Sequence, residues 1–470
     1  MFLLTKNQYT GNPKNLNNES DTVMPEKTYL ACGAPDKNFS DQELEELFLH
    51  AFSNALCDLN NSGQVIIIPP DITRVHSRAG FLTEIAAKQL GKRLGTILPA
   101  LGTHTPMNPE ELSRMFGSVP KEKFLIHDWR NDITELGRLK TYFVEKITEG
   151  AVHYDWPVQV NNLLCGENFG GNFSLILSIG QVVPHEVAGM ANHAKNIFVG
   201  TGGKEAIDKS HFAGAAYGME RIMGRTDTPV RALFDEGMRQ FESRMPPVLW
   251  VLTVVGDRTI TEIIAAGKEQ EQHTVRGLFI GFGRECFEKA SALSREININ
   301  LPEEKVGKMV VYLDPSEYRT TWLGNKAIYR TRMAMKDGGE LLILAPALER
   351  FGEDLEIDAL IRKYGYRPKN EIIAKAAPGT ELGENLSAAA HLIHGCSEGR
   401  FTVRYCPGKK LSRKDIEAIG YKWGDLEETK SRYDINRLSQ GWNTINGEKV
   451  FYISNPALGL WAEKGTIHNN

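Results

Sequence analysis

The sequence predicts an α/β protein of two domains with mostly parallel sheets and an active site in the cleft between them. Short runs of β-branched residues alternate with amphipathic segments of helical period, and this alternation is typical of parallel sheets. Polar residues and glycines directly follow several of these runs, as expected where strands end at a ligand-binding edge. The chain has 470 residues, which is enough for at least two such domains.

The first half of the chain alternates helices and strands. Ser40 and Glu43 have the spacing of a capping box before an apolar helical pattern. Asn108 stands at the N-cap position of a later helix whose first turn is acidic. The elements predicted here are a helix at 39–59, a strand at 64–69, a helix at 80–90, a strand at 95–100, a helix at 108–116, and strands at 174–179 and 247–255.

The same alternation restarts after the strand at 247–255. The elements predicted there are helices at 260–272, 286–293 and 324–336, and strands at 309–313 and 340–345. We therefore expect a disordered N-terminal extension at 1–26, a catalytic and cofactor-binding domain at 27–267 and a second α/β domain at 268–470.

Composition narrows the class of protein. A net charge of -4 gives no basic footprint, so no nucleic-acid partner is expected. Six scattered cysteines without a CxxC pair predict reduced thiols and no cysteine zinc site. No apolar run approaches the roughly 20 residues that cross a bilayer. We therefore expect a cytoplasmic protein that does not bind membranes.

Two histidines stand where separate predicted strands end. His104 follows the strand at 95–100, and His185 follows the strand at 174–179. Because carboxyl ends of parallel strands meet at one sheet edge, the two imidazoles are expected to face each other as a two-base system. Their usual pKa near 6.5 lets either ring donate or accept a proton. A surface or capping role is the alternative for each histidine taken alone.

A short polar cluster follows the buried strand at 64–69. It consists of Asp71, Thr73 and Arg74. A guanidinium at such a strand end can hold a carboxylate or phosphate by two parallel hydrogen bonds. A turn that caps the next helix is the alternative.

The stretch at 180–203 is rich in glycine and carries His185, His193 and Lys195. Glycines let backbone amides approach an anion closely. The spacing of a phosphate-binding loop is absent, so solvated loop residues are the alternative for His193 and Lys195.

Four segments, in this order, resemble signatures of the lactate racemase family: IIIPPDITR, LPALGTHTPMNPEEL, IHDWRND and IGQVVPHEVAG. Lys195 follows His185 by ten positions and His211 follows after sixteen more, which is the spacing of that family. The resemblance covers the first domain well and the second only loosely.

The resemblance implies a racemase or epimerase of 2-hydroxy acids that uses a nickel-pincer nucleotide, a nicotinic-acid-derived ring with two sulfur arms holding nickel. By this match Lys195 forms a covalent thioamide link to the cofactor, His211 ligates nickel, and His104 and His185 are the acid/base pair. Imidazole and sulfur are suitable donors for square-planar Ni(II). Hydride would leave the α-carbon, give a planar keto acid, and return to its other face.

The same match implies cofactor contacts for Asp71, Thr73 and Arg74, and substrate contacts for Arg74 and Lys326. It also implies transient contact with the enzymes that make the cofactor. The protein's own substrate would be a small 2-hydroxy acid.

Two departures from the family pattern point away from lactate. Residues 191–194 replace a Ser-Gly-Gly stretch before the lysine, and Trp322 and Leu323 replace a tyrosine and a glutamine before Lys326. Losing a polar glutamine should alter how the polar groups of the substrate are held. Two alternatives remain: a zinc- or iron-dependent hydrolase or aldolase built on the histidines, and a cofactor-binding homologue without turnover.

Overall fold

Two six-stranded sheets with covering helices organise the chain. The computed structural model describes residues 25–60, 62–165, 173–257, 273–457 and 459–465. The predicted α/β class with mostly parallel sheets is confirmed. The predicted extension at 1–26 lies outside the described residues, except for Pro25 and Glu26.

The strands alternate with the helices along most of the chain. The strands are β1 Lys27–Gly33, β2 Gln64–Ile68, β3 Leu94–Ile97, β4 Ile133–Leu139, β5 Trp156–Asn161, β6 Phe173–Gln181, β7 Pro184–His185, β8 Gly189–Met190, β9 Val248–Asp257, β10 His273–Phe282, β11 Ile299–Asn300, β12 Val306–Tyr312, β13 Met335–Ala345, β14 Thr402–Pro407, β15 Lys422–Trp423, β16 Gly441–Ile445, β17 Glu448–Ile453 and β18 Leu460–Trp461. The α-helices are α1 Asp41–Leu59, α2 Ala79–Leu90, α3 Pro109–Phe116, α4 Thr141–Ile147, α5 Lys204–Tyr217, α6 Pro229–Phe241, α7 Glu285–Asn298, α8 Thr321–Gly324, α9 Lys326–Tyr329, α10 Leu355–Tyr364, α11 Lys369–Lys375, α12 Leu386–His394, α13 Arg413–Ala418 and α14 Leu426–Arg432.

The first sheet has the strand order β1-β10-β9-β6-β2-β3. The four strands from β9 to β3 are parallel, whereas β10 and β1 run antiparallel to their neighbours. In β2 every residue after Gln64 is buried, as expected for a strand covered on both faces. The capping box of Ser40 and Glu43 begins α1, as predicted.

The first sheet extends past residue 267, the predicted end of the first domain. Strand β10 pairs with β1 on one side and with β9 on the other, and α7 packs on all three strands. The boundary is therefore later than predicted, because β10 completes the sheet that β1 begins. The helix predicted at 260–272 lies outside the described residues.

The second sheet has the strand order β15-β14-β13-β12-β17-β16. All of its pairings are parallel except that of β16 with β17. The single helix predicted at 324–336 is wrong: α9 ends at Tyr329 and β13 begins at Met335. Arg330, just after α9, is buried and donates a hydrogen bond to the carbonyl of Pro184 in the first unit.

A continuous apolar core joins the two units. It includes Ile176 of the first sheet, Phe212 of α5 and Ile343 of the second sheet. Helix α5 packs along α12 at this junction. Buried apolar side chains therefore close the base of the cleft between the two units. None of the helices in the described ranges combines the length and apolar composition that a bilayer crossing requires.

Candidate active site

A cleft of about 230 Å³ lies where the strands of the first sheet end and the second unit begins. The residues to which the resemblance assigned a role all line it: Asp71, Thr73, Arg74, His104, His185, Lys195, His211 and Lys326. They come from loops after three strands, from α5 and from α9. The sequence analysis therefore selected residues that the fold brings together.

His104 forms a close pair with Asp71. The Nδ1 atom of the ring lies 2.5 Å from Oδ2 of the carboxylate, which is buried. Burial works against ionisation of this carboxyl, but His104 and then Thr73 and Arg74 lower the pKa of Asp71 to about 2. The carboxylate is thus charged at neutral pH and accepts the Nδ1 proton, so in the neutral tautomer of His104 the lone pair lies on Nε2, which can act as a base.

Thr73 supports this pair rather than reaching across the cleft. Its hydroxyl lies 2.5 Å from Oδ1 of Asp71, and its backbone amide donates to the same oxygen at 3.1 Å. Both Asp71 oxygens are therefore engaged, which fixes the direction in which the carboxylate meets His104. This is the local structure of a helix cap, as one alternative predicted.

His185 uses its Nδ1 atom in the opposite way to His104, as a hydrogen-bond acceptor. Its Nδ1 accepts the backbone amides of Val187 at 3.1 Å and Ala188 at 3.4 Å. Burial lowers the pKa of His185 well below 6.5. The ring is therefore neutral and carries its proton on Nε2. With both rings neutral, Nε2 of His104 is a proton acceptor and Nε2 of His185 is a proton donor.

Lys195 follows two residues with left-handed backbone. Asn192 has φ +70° and His193 has φ +57°, a conformation that side chains other than glycine rarely adopt. Arg231 is buried beneath this loop and donates to the carbonyls of Met190 and Asn192. The replacement of glycines by larger residues at 191–194 is thus accommodated by an arginine anchor.

The side chain of His193 points away from the cleft. Its ring packs on Trp250 and Phe287, with centroids 4.3 and 5.0 Å apart, and Nε2 meets the carbonyl of Gly283 at 3.1 Å. Ala191 and Asn192 do line the cleft. Of the departures at 191–194, these two residues are the ones that shape the site.

His211 is oriented by its own helix. The Nδ1 atom lies 2.7 Å from the carbonyl oxygen of Ile207. A carbonyl can only accept, so Nδ1 carries the proton and Nε2 keeps a free lone pair. Burial also lowers the pKa of His211. A neutral imidazole with its second nitrogen tied to a carbonyl is the usual state of a histidine that binds a metal.

Three cations of the cleft have no carboxylate partner among the described residues: Arg74, Lys195 and Lys326. Burial lowers the pKa of Lys195 and of Lys326 to about 8, and it lowers that of Arg74 as well. The ammonium of Lys326 lies 5.9 Å from the centre of the Tyr318 ring. A cleft with this excess of positive charge suits an anionic ligand.

The sequence analysis missed the wall that α12 adds to the cleft. This wall carries Ser387, His391 and His394, and it faces Glu186 of the first unit. His391 packs on Trp322, one of the departures from the family pattern, with ring centres 4.4 Å apart. The two histidines occur three positions apart in an alanine-rich helix, a spacing that places them on one face.

A metal held by protein ligands alone finds little support in the part of the chain that the structure describes. No three histidine, cysteine, aspartate or glutamate side chains are grouped there as a metal site. The hydrolase or aldolase alternative requires such a set. The six cysteines are unpaired.

Comparisons with known proteins confirm the resemblance for the first unit. Residues 19–221 match a family model described as the lactate racemase N-terminal domain. A search of curated proteins gave no match.

Two solved structures share the fold. A protein from Thermotoga maritima, solved by a structural genomics consortium, is 24% identical, with a TM-score of 0.72 over 92% of this chain and 100% of that chain. The lactate racemase apoprotein from Thermoanaerobacterium thermosaccharolyticum is 17% identical, with a TM-score of 0.61 over 87% of this chain and 89% of that chain. At these identities the likeness establishes the fold alone.

Proposed function

We propose that the protein is a nickel-dependent racemase or epimerase of a 2-hydroxy acid other than lactate, because residues 19–221 match a family model described as the lactate racemase N-terminal domain. One observation carries the proposal: His104, His185, Lys195 and His211 come from four different segments and line one cleft. Residues placed independently along a chain have no packing reason to converge in this way, so a shared ligand is the simplest cause.

The residues present fit a nickel-pincer nucleotide. Lys195 supplies an amine with no hydrogen bond to Nζ within the described residues, and its pKa of about 8 leaves a useful fraction neutral for covalent attachment. His211 offers a free Nε2 as the one imidazole ligand, and the cofactor itself, including its sulfur arms, would supply the other donors. When bound, this group accepts and returns the hydride of the substrate α-carbon.

The protein's own residues would hold the substrate and move its hydroxyl proton. Arg74 and Lys326 are the two cations left to bind the carboxylate. Nε2 of His104 takes the hydroxyl proton, and the buried Asp71 carboxylate stabilises the imidazolium that results. Nε2 of His185 donates a hydrogen bond to the substrate oxygen from the opposite side.

A complete racemisation then needs the two histidines to exchange roles. The resting state, with His104 as acceptor and His185 as donor, is set for the enantiomer whose hydroxyl faces His104. The other enantiomer must first find His185 with a free Nε2. The two directions should therefore differ in their dependence on each histidine.

The test is a half-reaction with single-histidine variants. His104→Ala and His185→Ala, loaded with cofactor, are each mixed with each pure enantiomer of a substrate, quenched rapidly and assayed for keto acid. We expect each variant to oxidise one enantiomer and not the other, while racemisation falls by about 10²–10⁴-fold in both. Equal keto acid from both enantiomers in both variants would refute the two-histidine assignment.

We also propose a cytoplasmic setting in which the enzymes that make the cofactor meet this protein transiently. The unpaired cysteines support a reducing compartment. Co-expression with those enzymes, followed by denaturing mass spectrometry, should reveal an adduct on Lys195. An adduct-free protein that racemises a 2-hydroxy acid would show that the covalent link is not needed.

A further inference from the structure

Two buried polar atoms of the cleft lack hydrogen-bond partners among the described residues. They are Oε2 of Glu186, on the first unit, and Nε2 of His394, on α12. His394 is only 5% exposed, and both residues line the cleft. Leaving such atoms unpaired costs free energy. Polar groups of a ligand that hydrogen-bond to this side of the cleft would therefore bind favourably.

The charge of Glu186 determines which polar groups of a ligand can bind at this side of the cleft. Burial opposes ionisation of Glu186, but the buried guanidinium of Arg330 holds its pKa well below the usual value, so this wall carries a carboxylate. Arg330 lies 3.6 Å from Oε2 of Glu186. A ligand carboxylate would meet repulsion here, in contrast to the cationic side of the cleft at Arg74 and Lys326.

His391 adds an acceptor to the same wall. Thr321 must donate its hydroxyl proton to the carbonyl of Phe351, at 2.9 Å, so it accepts from Tyr366 at 2.8 Å. Tyr366 in turn accepts from Nε2 of His391 at 2.8 Å. Nδ1 of His391 is therefore unprotonated, and none of the described residues hydrogen-bonds to it.

A hydroxyl group is the substituent that fits these atoms. It can donate to the carboxylate of Glu186 or to Nδ1 of His391, and it can accept from an imidazole N–H. An alkyl or phenyl group would leave Nδ1 of His391 and Nε2 of His394 unpaired, and sites with buried polar groups reject such analogues strongly. A second carboxylate cannot donate and is repelled.

We propose that the wall formed by Glu186, His391 and His394 binds hydroxyl groups beyond C2, so that the substrate is a polyhydroxylated 2-hydroxy acid. This inference rests on the proposed function. The chemistry has two sources, since hydroxyls also occur on the ribose of a nucleotide cofactor. We assign these hydroxyl groups to the substrate, because the wall offers several polar atoms without partners. The experiment below distinguishes the substrate from the ribose of the cofactor.

The experiment compares three six-carbon acids on the cofactor-loaded protein by isothermal titration calorimetry: D-gluconate, 2-hydroxyhexanoate and 2-hydroxyadipate. We expect gluconate to bind at least about tenfold more tightly than the other two. His394→Leu should remove most of that preference by weakening gluconate alone. His50→Leu, which makes the same change on the exposed face of α1, is the matched control and should change nothing.

Equal affinities for the three acids in the wild type, or tighter binding of hexanoate or adipate, would overturn the proposal without any variant. A His394→Leu protein that loses nickel and adduct but keeps the wild-type preference would assign the wall to the cofactor ribose and also overturn it. If gluconate binds preferentially but no 2-hydroxy acid is racemised, the proposed function fails while the hydroxyl-binding wall stands.

Discussion

Replacing Asp71 by asparagine should disable His104 as a base while leaving the cleft nearly unchanged in shape. The carboxylate accepts the Nδ1 proton of His104 at 2.5 Å. An asparagine amide can offer N–H to Nδ1 instead, and the ring proton then moves to Nε2. The atom that should take the substrate proton would already be protonated.

The size of the effect follows from the pKa of Asp71. Burial would raise it, but the interactions led by His104 lower it from 3.8 to about 2. The difference between 3.8 and about 2 is close to two pH units, or roughly 2 kcal/mol. The side chain of His104 is 44% exposed, so solvent screening reduces the stabilisation that the Asp71 carboxylate gives to the His104 imidazolium. Loss of charge alone should thus cost about tenfold, and the wrong tautomer should bring the loss to about 10²–10⁴-fold.

The assay is kcat/KM for racemisation of an accepted 2-hydroxy acid, with nickel content measured in parallel. Glu145→Gln is the matched control, because Glu145 contacts Nδ1 of His153 at 2.8 Å on the surface and away from the cleft. The control should keep wild-type kinetics. If Asp71→Asn keeps its nickel and its kcat/KM stays within about threefold of wild type, the role of the pair is refuted.

Three further predictions concern the cations and the metal ligand. Lys195→Ala should lose the covalent adduct by mass spectrometry, and His211→Ala should lower nickel content by elemental analysis; wild-type values in both would contradict these assignments. Arg74→Lys should lose about tenfold or more in kcat/KM, because an ammonium cannot reproduce a two-pronged contact with a carboxylate, and unchanged kinetics would count against it. Burial lowers the pKa of Lys326 to about 8, so its charge is present below pH 8 and lost above it. The substrate Kd measured by calorimetry should therefore rise by about tenfold between pH 7 and 9. The Lys326→Met variant should bind the substrate weakly at both pH values, and its Kd should depend less on pH.

The local features of the fold were readable from the sequence because they depend on neighbours in the chain. The capping boxes at Ser40 and Asn108 are present where their residue spacing predicts them. The buried strand β2 follows from an uninterrupted run of β-branched residues. Each of these involves contacts within a few positions, so the pattern alone specifies it.

Long-range pairing was beyond the reach of such patterns. Strand β10 joins β1, which lies about 250 positions earlier in the chain, and nothing in either segment encodes that partner. After Tyr329, the buried Arg330 donates a hydrogen bond to Pro184 in the other unit. Periodicity reported only the helical tendency of this segment, and tertiary contact overrode it.

The same division holds for the site. Position after strand ends, together with the family spacing, predicted that His104, His185, Lys195 and His211 lie together, and all four line one cleft. Only the tertiary structure decided that Nε2 of His104 is free while that of His185 is protonated, because those states depend on Asp71 and on two backbone amides. It alone also brought His394 to the cleft, since that helix reaches the site through packing of α12 against α5. Residue types determine which chemistry is available, whereas hydrogen-bond partners distant in sequence determine which proton each residue carries.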